Sequence, residues 1–86
     1  MPSPSHRAHH LIVRGALDSA SFLPWVAQHS RRLGLRCQTL SADAREAVFR
    51  VEGHPEMIDA LEVGCLLGPF DVWIDTVTKT HAASEP

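Results

Sequence analysis

Only two cysteines, Cys37 and Cys65, occur in the 86 residues. They form no CxxC pair and are too few for a disulfide framework, so a reduced, cytoplasmic protein is expected. No apolar run approaches the roughly 18 residues that a membrane span needs. The opening MPSPSHRAHH has no apolar stretch after its positive residue and does not read as a secretory signal. Charge of one sign is also missing. Eight Lys and Arg stand against ten Asp and Glu, a formal net charge of −2. A dedicated nucleic-acid binder carries a basic excess that releases counterions, so no nucleic-acid partner is expected. There is no internal repeat and no low-complexity tract beyond the ends. Length excludes large enzyme architectures: 86 residues cannot hold a dinucleotide fold beside a substrate domain.

What is present suits one small globule. The hydrophobic share is 44%, too high for a disordered chain. Residues 1–8 hold two prolines and two serines without apolar periodicity and read as a flexible tail. Residues 80–86 read the same way. The domain is expected at residues 9–79. Within it, residues 10–14 form a β-rich segment that stops at Gly15. Residues 16–21 are small and polar, a loop. Phe22, Trp25, Val26, His29 and Leu33 then recur at helical spacing, with Gly34 as the C-cap. Pro24 sits in the first turn, where missing N–H groups cost little. Residues 35–41 form a weaker strand and residues 42–45 a turn. Residues 46–52 alternate, with Ala47, Phe49 and Val51 on one face. Pro55 opens a second helix whose stripe is Met57, Ile58, Leu61 and Cys65. Gly68-Pro69 ends it, and residues 70–78 alternate as a last strand.

The order β-α-β-β-α-β predicts an α+β, ferredoxin-like sandwich, an antiparallel sheet with two helices on one face. Leu11, Val13, Phe49, Val51, Val72 and Ile74 are expected to face the helices. Ile12, Val48, Trp73 and Val77 are expected on the open face, which makes Ile12, Val48 and Trp73 candidates for a protein-interaction surface.

Side chains with chemical potential are scattered. His6, His9 and His10 lie in or beside the tail without a matching cluster of ligands elsewhere, so no metal is expected. His29 reads as a core-edge histidine and His54 as a neighbour of the second helix cap. Cys65 sits near a helix C-terminus, where the dipole disfavours a thiolate, and reads as a small hydrophobe. Cys37 has only Arg36 nearby to favour reactivity. Ser19 and Ser21 lack a GxSxG elbow. The loop Leu17, Asp18, Ser19, Ala20, Ser21 and Phe22 joins a strand to a helix N-terminus, a place where backbone N–H groups can cradle an anion. Asp18 opposes a phosphate there.

Over residues 11–77 the chain resembles the acylphosphatase family. Val13-Arg-Gly15 is similar to the family's V-x-G opening, and Leu17 and Phe22 fit its V-Q-G-V-G/F-F-R loop. Leu33-Gly-Leu35 matches its L-G-L helix end. Glu52-Gly53, the second helix, Gly68-Pro69 and a V-x-x-V-like last strand match the rest. The resemblance implies hydrolysis of carboxyl-phosphate anhydrides without metal or cofactor. It further implies that loop backbone and an arginine hold the phosphate while an asparagine orients water. Here the arginine position reads Leu23 and the asparagine position reads Ser41, so these are vestigial positions and the domain is expected to be catalytically degenerate. Two alternatives stand beside this. One is an active enzyme with a relocated cation, Arg14 or Arg36, acting on a small acyl phosphate or other anion. The other is an interaction module that meets a protein partner on the open face.

Overall fold

The structure, a computed structural model, describes residues 7–68 and 72–81. The chain runs β1 (Arg7–Ala16), α1 (Phe22–Arg32), β2 (Arg36–Ala42), β3 (Glu46–Gly53), α2 (Pro55–Leu67) and β4 (Trp73–His81). The four strands form one antiparallel sheet in the order β2-β3-β1-β4. This is the predicted ferredoxin-like α+β arrangement, with both helices on one face. Among the described residues no helix is long and apolar enough to cross a membrane.

Strand alternation builds the core. Leu11, Val13, Ala47, Phe49 and Val51 point to the helices and are buried. Phe22 and Val26 of α1, and Ile58, Leu61 and Cys65 of α2, close over them. The phase of α1 differs slightly from the predicted stripe. Ser30, rather than His29, is fully buried, and its hydroxyl donates to the Val26 carbonyl at 2.8 Å. That bond satisfies a buried polar group that is otherwise costly. The His29 ring instead stacks on Trp25 and lies over Gly64 of α2. At the end of α1 the Leu35 N–H reaches the Ser30 carbonyl and the Gly34 N–H reaches that of Arg31. These are the paired bonds of a Schellman stop, which requires the positive φ of 73° found at Gly34. Pro55 opens α2 at its first position, as expected. The Pro69 half of the predicted stop, with Phe70 and Asp71, lies outside the described residues.

Both outer strands carry a bulge, and the bulges correct two expectations. In β4 the register with β1 shifts between Arg14 and Gly15, so Asp75 is the extra residue. The shift turns Val77 inward opposite Val13, where it packs on the core rather than on the open face. In β2 the register with β3 jumps from Thr39–Phe49 to Ser41–Val48, and Leu40 bulges outward. The tail boundaries also move. Arg7 and Ala8 belong to β1, paired with Gly53 and Glu52. Thr80 and His81 belong to β4, paired with His10 and His9. Residues 1–6 and 82–86 lie outside the described residues. Near the C-terminal end of β4, Lys79 pairs with Asp59 and Glu62 of α2 and so ties strand to helix.

Candidate functional site

A cavity of about 270 Å³ opens where the β1–α1 loop, the first turn of α1 and the β2–β3 turn meet. Leu17, Phe22, Leu23, Ala42, Ala44 and Ala47 form its apolar lining. Asp18, Ser19 and Asp43 are its polar members. The loop and the turn are joined by backbone bonds: the Gly15 N–H donates to the Arg45 carbonyl and the Leu17 N–H to that of Ala44. Sequence separation therefore hides the neighbourhood. Ala44 stands far from the loop along the chain but is bonded to Leu17, and Asp43 sits beside it in the turn.

Most of the loop amides are spent inside the protein. Besides Leu17, the Ser19 N–H donates to the Leu17 carbonyl at 2.8 Å and the Phe22 N–H to the Ser19 carbonyl at 3.3 Å. The Ser21 N–H donates to the Ser19 hydroxyl at 3.2 Å. An anion cradle needs such groups converging on open space. Here four of the six between Leu17 and Phe22 already have acceptors.

Charge points the same way. Asp43 Oδ1 accepts the N–H of Arg45 and of Glu46, each at 2.8 Å. Those two bonds, Arg45's first, hold its carboxyl below the usual carboxylate range, so it is ionised at neutral pH. Among the described residues, Asp18 and Asp43 line the cavity and no Lys, Arg or His does.

Solved structures with this architecture exist at low sequence identity. The Coxiella burnetii acylphosphatase superposes with TM-score 0.85 at 17% identity, covering 95% of this chain and 86% of that one. The Bacillus subtilis acylphosphatase gives TM-score 0.80 at 15% identity, covering 91% and 87%. Full-length HypF, in its phosphate- and nucleotide-bound form, gives TM-score 0.81 at 18% identity, where 98% of this chain covers 11% of that one. The chain has the acylphosphatase fold. No protein-family model matches it, and no curated protein sequence does.

On this acylphosphatase-like frame the predicted residues divide. Leu17, Asp18, Ser19, Phe22 and Leu23 come together around the cavity, whereas Ala20 and Ser21 do not line it. Ser41 does not line it either. Its register partner is Val48, on the open face. The inward residue at the end of β2 is Ala42, opposite Ala47, because the Leu40 bulge advances the alternation by one. Ala42, Asp43, Ala44 and Ala47 are the cavity residues that sequence reasoning missed. An Asp opening a turn was the one available signal.

The two relocated-cation candidates are elsewhere. Arg14 Nε donates to Glu46 Oε2 at 2.8 Å across the open face. Arg36 lies at the far end of β2, beside Gly34 and Glu52. The proposed interaction face also divides. Ile12 and Val48 are register partners and only half-exposed. Trp73 is 71% exposed but pairs with Ala16, and the Arg14–Glu46 pair separates it from them. Its indole N–H donates to Asp75. His9 and His10 point to opposite faces, the His9 ring meeting that of His81 at a tilt and His10 lying opposite Arg50. His6 lies outside the described residues. Both thiols titrate high. Burial pushes Cys37 up, opposed by a hydrogen bond with Ser30, and burial pushes Cys65 up to about 12.

Proposed function

We propose that the chain is an acylphosphatase-like domain whose cavity neither holds nor hydrolyses carboxyl-phosphate anhydrides. One observation carries this reading: among the described residues the cavity is lined by Asp18 and Asp43 and by no Lys, Arg or His. A transferring phosphoryl group is stabilised by positioned donors and cations aimed at its oxygens. Leu23 offers neither, Ala42 has no polar side-chain atom, and four of the six loop amides already have acceptors. Each carboxylate repels phosphate oxygen as well. Losing a single oriented donor typically costs about 10²–10³ in rate, and here the cation is missing too.

An active enzyme with a relocated cation draws no support from Arg14, which is engaged by Glu46, or from Arg36, which lies beside other residues. The test is hydrolysis of benzoyl phosphate by the purified chain, beside buffer and a genuine acylphosphatase. The expected rate is that of buffer. A protein-dependent rate that falls in Arg14→Ala or Arg36→Ala, with the fold intact, would overturn the reading.

A further inference from the structure

We propose that the outer face of the two helices joins a second copy of this chain, α1 of each copy lying on α2 of the other. It stands independently of what the cavity binds.

Helix α2 is apolar on two opposite sides. Ile58, Leu61 and Cys65 are buried against the sheet. Val63, Leu66 and Leu67, neighbours at helical spacing on the other side, keep 57%, 51% and 80% of their surface exposed. A helix that is apolar all round is normally buried all round. In one chain only the inner side of α2 is covered, so contiguous hydrocarbon on its C-terminal half is left for another surface.

Charge and shape select a second copy as that surface. α1 contains no carboxylate and ends in Arg31 and Arg32; α2 contains no cation and carries Glu56, Asp59 and Glu62. Arg31 and Arg32 are exposed and form no ion pair among the described residues. Lys79 holds Asp59 and Glu62 from the β4 side, one cation against two carboxylates. β1 and β3 are antiparallel, and each helix runs back along the sheet from its strand, so α1 and α2 are antiparallel neighbours. The His29 ring over Gly64 fixes how they stand side by side. Counting out from that contact at about 1.5 Å per residue, Pro24 and Ala27 are level with the Leu66–Leu67 end, and Arg31 is level with Asp59 and Glu62, each within about one turn.

A two-fold axis along the groove between the helices keeps those levels and lays α1 of one copy on α2 of the other. The protruding Leu66 and Leu67 then meet the low surface of Pro24 and Ala27, while Arg31 meets Asp59. Each contact occurs twice, as an isologous interface requires. A foreign partner would have to bring both a basic and an acidic strip in the correct order, and a second copy already carries them. Helices of 11 and 13 residues present a face about 16–20 Å long and about 20 Å wide. That is the low end for a specific interface, so exchange with the monomer at micromolar concentrations is expected.

The experiment is sedimentation velocity of the full chain from micromolar to millimolar concentration. A reversible shift from the 9.5 kDa chain toward twice that mass is expected. Leu67→Asp should abolish it with Tm unchanged, because the side chain is exposed in the single chain. Arg31→Glu and Asp59→Lys should each weaken the dimer by about tenfold, since each turns two attractions into two repulsions, and Lys79 keeps Glu62 in the second variant. The double variant restores opposite charges and should return to within about threefold of the original affinity. A monomer at every concentration overturns the proposal and leaves the face to a different protein. A dimer that survives Leu67→Asp, or one that the double variant does not restore, overturns it as well, because the copies then meet elsewhere or in another arrangement.

Discussion

Gly15→Ala is expected to destabilise the domain by about 3 kcal/mol, the upper end of the cost of overpacking. The sign is opposite to the usual one. A strand glycine weakens its strand by roughly 0.5–1 kcal/mol relative to alanine, so the exchange normally helps. At this position the β4 bulge folds backbone onto β1. A Cβ on Gly15 would lie 2.1 Å from the Trp73 carbonyl oxygen, 2.9 Å from the Ile74 Cα and 3.0 Å from the Asp75 N. All three are backbone atoms, so no rotamer change relieves the clash. β4 must move away or lose its pairing beyond the bulge. At about 4–8 °C per kcal/mol for a domain of this size, Tm should fall by roughly 12–24 °C. Thermal unfolding followed by circular dichroism reads this directly. An unchanged or raised Tm would mean that the bulge at Asp75 is misplaced.

The second large effect is at the core. Phe49→Ala should cost about 3–5 kcal/mol, as large aromatic truncations do. Phe49 is 1% exposed and sits at the centre of the sheet, opposite Leu11 on β1 and Thr39 on β2. Its ring meets that of Phe22 edge to face, centroids 6.2 Å apart. Such pairs add about 0.5–1.5 kcal/mol beyond area burial. Phe22 in turn begins α1 and lines the cavity, so the pair couples the fold's interior to the site. Against a typical total of about 5–15 kcal/mol, this one change takes a large share of the stability. Urea unfolding measures it. A loss under about 1 kcal/mol would contradict the packing described here.

Much of the architecture is legible in the residues. The alternation of Ala47, Phe49 and Val51, the Leu33-Gly-Leu35 helix end and Pro55 at the head of α2 each have a local physical cause. What stays hidden is register. Nothing in the composition of β2 or β4 marks Leu40 or Asp75 as the extra residue, yet each reverses the faces that follow. Ser41 therefore falls on the open face and Val77 on the core. The strand ends are hidden for another reason. Ala8, Thr80 and His81 join the sheet through backbone pairing, which hydropathy does not report. The cavity's second wall, Ala42 to Ala44, depends on the same register, so only the loop half was within reach of the sequence.

The central claim concerns the cavity's charge, and inorganic phosphate tests it most directly. The measurement is an amide NMR titration with phosphate, alongside a genuine acylphosphatase under the same conditions. At concentrations that saturate the acylphosphatase, the amides of residues 17–23 and 42–47 of this chain are expected to show no saturable shift. Saturating shifts confined to those residues would mean that the loop still receives an anion despite Asp18 and Asp43, and would contradict the account.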